Sequence, residues 1–362
     1  ARMTEPSFDS HDTGASERLH ERVRAYMGDS SGDDFDSLAC DIARHQVARI
    51  PSLARLYAAC GVSEPTTAAE IPALPCDAFR LRRIATHPPE LDVRVFETSG
   101  TTQGSATGVH ALRTTATYEL AALTWARRWL FPNPAELAFA ALAPSEREAP
   151  RSSLSFMLSR FADALGGPAR WCYANDRVDI AAARDLARSS QPLLVAGTSF
   201  AFVHLCDALG DDTLQLPAGS RVMQTGGFKG RSREVDAGVL REAIARVFGV
   251  PRRLVIGEYG MTELSSQLYQ GCLVDAAAEG YQPPPWLRVV AVDAVRLEPV
   301  AAGTEGLCRI VDLANVDSAV AIQTSDRIVV NDDGSIELLG RQPGAAPRGC
   351  SLALEHLLAG PA

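Results

Sequence analysis

Between Leu193 and Ile256, short apolar runs alternate with helical periodicity, and this constrains the fold more than any other stretch of the chain. Leu193-Leu194-Val195-Ala196, Arg221-Val222-Met223-Gln224 and Arg253-Leu254-Val255-Ile256 read as strands, and residues 200–209 and 235–248 between them read as helices. Strand and helix taking turns in this way argues for a layered α/β core. Upstream, 137–142 reads as a strand, while 115–130 and 153–165 carry helical spacing. Residues 16–60 are helical in pattern, 61–90 are loop-rich with five prolines, and 1–15 are polar and expected to form a disordered tail. From Leu287 to Leu339 short strands dominate, with turn signals at Ala302-Gly303 and Asp332-Asp333-Gly334. A smaller β-rich part, about 287–340, is therefore expected to cap an α/β domain spanning 16–340, with a short tail over 341–362.

A chain of 362 residues can bury a large core, and its net charge of −9 argues against a general nucleic-acid-binding surface. No apolar run approaches the roughly 18 residues of a membrane span. Eight scattered cysteines, with no CxxC pair and no Cys/His cluster at metal spacing, fit reduced thiols in a cytoplasm. Lys229 is the only lysine.

Chemistry gathers at a few stretches. Thr98-Ser99-Gly100-Thr101-Thr102-Gln103-Gly104 follows the strand-like alternation of 91–96 and precedes the helix at 115–130. A glycine-rich loop between strand and helix can turn N–H groups and hydroxyls onto a phosphate. Composition alone leaves a plain surface loop equally open. It is neither a Walker loop nor a dinucleotide fingerprint. Thr225-Gly226-Gly227-Phe228-Lys229-Gly230 sits between a strand and a helix, as an ordinary turn or as one that a ring or phosphate can approach. Gly257-Glu258-Tyr259-Gly260-Met261-Thr262-Glu263-Leu264 follows the next strand, and Gln323-Thr324-Ser325-Asp326-Arg327 ends a later one.

In this order the stretches resemble the adenylate-forming superfamily, whose phosphate loop reads roughly [ST]-S-G-T-T-G and whose later element reads Tyr-Gly-x-Thr-Glu. The loop departs at Gln103, inserted before Gly104, and Ser325 replaces the glycine of a Thr-Gly-Asp segment. The resemblance implies phosphate binding by Ser99, Gly100, Thr101 and Thr102, and an adenine pocket at Gly226 and Gly227. It further implies adenine stacking on Tyr259 beside Gly260, an α-phosphate contact from Thr262, and Mg²⁺ on Glu263. Asp326 would bond the ribose, Arg341 the ribose or phosphate, and Lys229 a phosphate. ATP and Mg²⁺ are the implied cofactors.

The full-length ligases of this superfamily carry a lid domain with a lysine. This chain ends shortly after Arg341 with no later lysine, so an absent or much reduced lid is expected. The ending Arg348-Gly349-Cys350-Ser351-Leu352, with Asp312-Leu313-Ala314-Asn315, resembles the acyl-protein synthetase (LuxE-like) family. That resemblance implies activation of a carboxylic, fatty acid as acyl-AMP, then transfer to Cys350 for delivery to a partner such as an acyl reductase or acyl-carrier protein. By itself Cys350 reads as a small buried residue, as most cysteines are. His110 or His356 could take the thiol proton, or be structural. Residues 196–202 are a candidate lining for an apolar acyl tunnel. Three rivals stay open: an acyl- or aryl-CoA ligase with an external thiol acceptor, a serine hydrolase around Gly197-Thr198-Ser199-Phe200-Ala201 with Asp326 and His356, and a non-catalytic nucleotide-binding scaffold, against which the Thr262-Glu263 pair argues.

Overall fold

The computed structural model describes residues 13–98, 107–226 and 236–342. The N-terminal segment folds into helices α1 (Gly14–Met27), α2 (Phe35–Val47) and α3 (Pro51–Ala59), then strand β1 (Leu74–Pro75) and one-turn helix α4 (Ala78–Leu81). Asp34 caps α2 by accepting from the Ser37 N–H, and Pro51 starts α3, where a missing N–H costs nothing.

Strands β2 (Arg94–Glu97) and β3 (Val109–Leu112) follow, then helix α5 (Ala116–Trp129). The two strands pair antiparallel as a hairpin of their own. This corrects the expectation that the glycine-rich stretch joins a strand to a helix: it joins two strands. The Thr98 N–H donates to the Gly108 carbonyl, and the Gly108 N–H to Thr98 Oγ1, both at 2.9 Å, so the hairpin closes at the base of the loop. A side chain at 108 would strike Thr98 and Arg80.

Next come β4 (Ala138–Leu142), α6 (Ser153–Leu165), β5 (Arg170–Trp171), the small hairpin β6 (Tyr173–Ala174) and β7 (Arg177–Val178), α7 (Ile180–Arg184), β8 (Leu193–Thr198), α8 (Ser199–Leu209), β9 (Arg221–Thr225), α9 (Ala237–Phe248) and β10 (Val255–Tyr259). Thr198 and Asp236 cap α8 and α9. The expected strand at 253–256 begins two residues later and runs on through Tyr259. Pro251 opens a 3₁₀ turn over Arg252–Leu254, and continuous burial begins at Leu254.

The chain closes with β11 (Leu268–Gln270), β12 (Tyr281–Gln282), β13 (Leu287–Val292), β14 (Glu305–Asp312), β15 (Ala321–Val330) and β16 (Ile336–Arg341). Gly303 and Gly334, at φ 75° and 80°, make the turns expected there. These strands are continuous with the α/β part in one 12-stranded sheet, ordered β13-β14-β15-β16-β12-β11-β10-β9-β8-β4-β5, with β1 beside β15. Strands β5, β4, β8, β9 and β10 are parallel; β11 and β12 reverse direction and bridge to the antiparallel half.

Apolar clusters cover both faces of the parallel half. Phe139, Ala196, Met223 and Ile256 pack with α1, α2, α5 and α6 on one face. Val195, Val222 and Val255 pack with α8 and α9 on the other. Burial on both faces is why β4 and the first four residues of β8 read as unbroken apolar runs. Among the described residues no helix is long and apolar enough to cross a membrane, and their seven cysteines are unpaired.

Candidate active site

The parallel strands all end at one edge, where Thr198, Thr225 and Glu258 stand in register. Crevices at the carboxyl ends of such strands are where open α/β sheets bind ligands. Tyr259 closes β10 there. Its hydroxyl donates to Asp326 Oδ2 at 2.8 Å, and Arg341 Nε donates to Asp326 Oδ1 at 3.0 Å. Three residues far apart in sequence thus meet on one carboxylate, because β15 and β16 pair Asp326 directly with Arg341.

Past Tyr259 the chain turns through Met261–Leu264, with the Leu264 N–H donating to the Met261 carbonyl. Thr262 is half-buried and Glu263 is buried. Both peptide carbonyls of this pair are held from elsewhere: His110 Nδ1 lies 2.8 Å from the Thr262 carbonyl, and Asn315 Nδ2 donates to that of Glu263 at 2.9 Å. Asp312 fixes the start of the next segment, accepting from the Ser265 N–H and the Ser266 hydroxyl. Burial pushes its carboxyl up to about 6 against those hydrogen bonds.

Cys76 ties the two groups together. Its thiol donates to the Gln323 carbonyl at 3.3 Å, and its ionisation is pushed well up, first by burial and then by the nearby carboxylates of Glu263 and Asp326. A thiol so disfavoured as thiolate is a poor nucleophile.

Glu258 faces the opposite side of β10 and is 5% exposed. Thr225 donates its hydroxyl to Glu258 Oε2 across the register. Gly260 lies against the other oxygen: a Cβ there would come within 2.5 Å of Oε1. Burial pushes this carboxyl up to about 7, with the Thr225 bond opposing. A folded-state value above the ordinary 4.5 means the contribution is fully present below about pH 4.5 and lost as pH rises through 7. Glu258→Gln, neutral at every pH, is therefore expected to gain on wild type between pH 5 and 8 by roughly 3 kcal/mol. Urea unfolding at both pH values measures this; parallel stabilities would show that Glu258 is not protonated in the fold.

Gly226, at φ 73°, ends the described part of its turn, and Ser199 donates to its carbonyl at 2.6 Å. Ser199 is 2% exposed with its hydroxyl so committed, which removes the serine-hydrolase reading. In the candidate acyl lining, Phe202 lies in the core, whereas Phe200 is exposed. Ser99, Gly100, Thr101, Thr102, Gly227, Lys229, Cys350 and His356 lie outside the described residues. Of the two roles left open for His110, the structure favours the structural one: it is buried, and burial pushes it down to about 4. Sequence reasoning missed Glu258 and Cys76 at this edge, and passed over Asn315 as a positioning group although it noted the stretch holding it.

Among the described residues no three His, Cys, Asp or Glu side chains are placed to cage a metal. Glu263 alone suits Mg²⁺, which keeps several waters and is bound through one or two carboxylates plus phosphate oxygens.

The sequence matches the acyl-protein synthetase family, LuxE, over residues 62–359. The chain belongs to this family. Its similarity extends to a long-chain-fatty-acid–luciferin-component ligase of Aliivibrio fischeri, 22% identical over 308 residues, covering 80% of this chain and 79% of the relative. Among solved structures, an open conformation of 2-hydroxyisobutyryl-CoA ligase in complex with 2-HIB-AMP and CoA superposes with a TM-score of 0.64 at 13% identity, over 90% of this chain and 69% of that one. ATP-bound MatB from Rhodopseudomonas palustris gives 0.52 at 13% identity, over 68% of this chain and 47% of that one. The chain thus matches about half the length of MatB. The fold is the large α/β domain of adenylate-forming enzymes.

Proposed function

We propose that this acyl-protein synthetase activates a carboxylic acid with ATP and then passes the acyl group to a cysteine thiol, Cys350. In the first step a carboxylate oxygen bonds the α-phosphorus while the bond to the bridging oxygen breaks, giving acyl-AMP and pyrophosphate. In the second, sulfur bonds the activated carbonyl carbon, AMP leaves, and the thiol proton passes to solvent. The observation that carries this reading is the meeting of Tyr259, Asp326 and Arg341 beside the Thr262–Glu263 turn. The family supplies the reaction class.

The residues divide the work. Tyr259 is the residue to stack on adenine, in a pocket to which Gly226 and Gly227 would contribute. A carboxylate has about four lone-pair sites, so Asp326 can accept ribose hydroxyls while keeping Tyr259 and Arg341. Ser99–Thr102, Thr262 and Lys229 hold phosphate oxygens, and Glu263 is the residue to hold Mg²⁺. That ion would neutralise charge on the phosphates. Positioning and charge neutralisation supply most of the rate. The acid is of the fatty class, as the name of the Aliivibrio relative suggests. The thioester on the tail, 341–362, would then be delivered to an acyl reductase or acyl-carrier protein. A cytoplasm provides the ATP and the reducing conditions this requires.

Intact-protein mass after incubation with Mg·ATP and a panel of carboxylic acids tests this, wild type beside Cys350→Ser. A hydroxylamine-labile acyl adduct is expected on wild type alone. Pyrophosphate release without an adduct would move the acceptor to an external thiol, and no release with any acid of the panel would overturn the adenylation reading.

A further inference from the structure

His110 is 1% exposed, sits on β3 immediately beyond the glycine-rich loop, and packs edge-on against the Phe79 ring. A carbonyl oxygen carries no proton, so in the contact with Thr262 it is the imidazole that donates, from Nδ1. That leaves Nε2 as a bare acceptor. Among the described residues Nε2 has no hydrogen-bond partner, and neither have Ser265 Oγ and Asn315 Oδ1. All three residues line one small cavity, with His20, Arg113, Thr117 and Asp317 on its other walls. Buried polar atoms are rarely left unmet, and a water with two to four such neighbours is the usual remedy.

We propose that His110 is a positioning residue, a single-tautomer strut that fixes the Thr262 carbonyl to hairpin β2–β3, with an ordered water in the cavity completing its Nε2. Hairpin β2–β3 and the Thr262–Glu263 pair are then set relative to each other by one imidazole. Asn315 does the same for the Glu263 carbonyl, and it lines the same cavity. This rests on the adenylation reading only for its catalytic consequence; the tautomer and the water derive from the buried polar atoms themselves.

Two substitutions separate the nitrogens. Asparagine places an N–H where Nδ1 was and can still meet the Thr262 carbonyl; glutamine places its N–H near Nε2 and leaves that carbonyl unmet. His110→Asn is expected to keep most of the wild-type kcat for acid-dependent pyrophosphate release. His110→Gln should lose about 10²-fold in kcat, the scale of a 1 Å misplacement, with little change in KM for the acid. Neither should move the acid limb of the pH profile, since the imidazole is no base. Equal loss in both variants, equal retention in both, or a shifted limb overturns the proposal. Two readouts stand without activity or variants. ¹⁵N spectra of the wild-type imidazole should show the Nδ1–H tautomer, and a high-resolution crystal structure should show a water on Nε2. An Nε2–H tautomer or a dry cavity overturns the strut. Wild type that releases no pyrophosphate with any acid defeats the adenylation reading alone.

Discussion

Glu263→Gln is expected to lower acid-dependent pyrophosphate release on the order of 10²–10³-fold while leaving the fold intact. The side chain is 8% exposed, so shape matters there, and an amide preserves the shape. Its backbone is held independently of the carboxylate, by Asn315 on the Glu263 carbonyl and by the Leu264 to Met261 turn bond. The substitution removes one negative charge and one hard anionic oxygen, the properties that a small divalent cation requires. The loss should fall on kcat at fixed Mg²⁺, with the apparent requirement for Mg²⁺ rising in parallel. A thermal midpoint within a few degrees of wild type would confirm that chemistry rather than folding has changed. Turnover within a few-fold of wild type at millimolar Mg²⁺ would remove Glu263 from the metal and return it to the buried core.

How much of this was legible in the sequence depends on where each residue finds its partners. Strands β8 and β9 and helices α6, α8 and α9 were readable because their burial and caps are local: Ser152, Thr198 and Asp236 stand at the helix starts, and each strand has a buried apolar centre. Hairpin β2–β3 was not readable. Val109–Leu112 is four residues long, too short for alternation to register, and it lies between a glycine run and a strong helical pattern. The end of β10 was hidden for another reason. Gly257 and Glu258 look like loop residues, yet a side chain at Gly257 would displace the ends of Tyr281 and Gln270, and Glu258 is buried against Thr225. In the site, Tyr259, Thr262, Glu263, Asp326 and Arg341 could be found by motif. His110 and Asn315 could not be assigned their roles, since each acts on a backbone carbonyl 152 or 52 positions away, and a carbonyl leaves no mark in a sequence.

Asp317 is the extreme of that second kind, and Asp317→Ala is expected to destabilise the fold by about 3–5 kcal/mol. The carboxylate is 4% exposed and accepts from Ser16 Oγ at 2.6 Å, Thr86 Oγ1 at 2.7 Å and His20 Nε2 at 2.9 Å, with Arg113 Nε at 3.3 Å. Three segments of chain, up to 301 positions distant, therefore converge on two oxygens. Burial opposes its ionisation, but the bonds from His20 and its neighbours outweigh burial and hold the carboxyl well below the ordinary 3.8. Removing it leaves the Arg113 charge and the Ser16 and Thr86 hydroxyls facing a hole, and uncompensated buried charge is what makes such losses large. A group whose folded value is depressed contributes fully above its unfolded value and loses that contribution as pH falls below about 4. The gap between wild type and Asp317→Ala should accordingly be widest near neutrality and narrow in acid, as followed by urea unfolding from pH 7 down to pH 3. Asp317→Asn should cost less, because the remaining carbonyl oxygen still accepts while the amide meets donors. A gap below about 1 kcal/mol at pH 7 would mean that the apolar packing of α1 against α5, through Leu19 and Val23, holds these segments without the carboxylate.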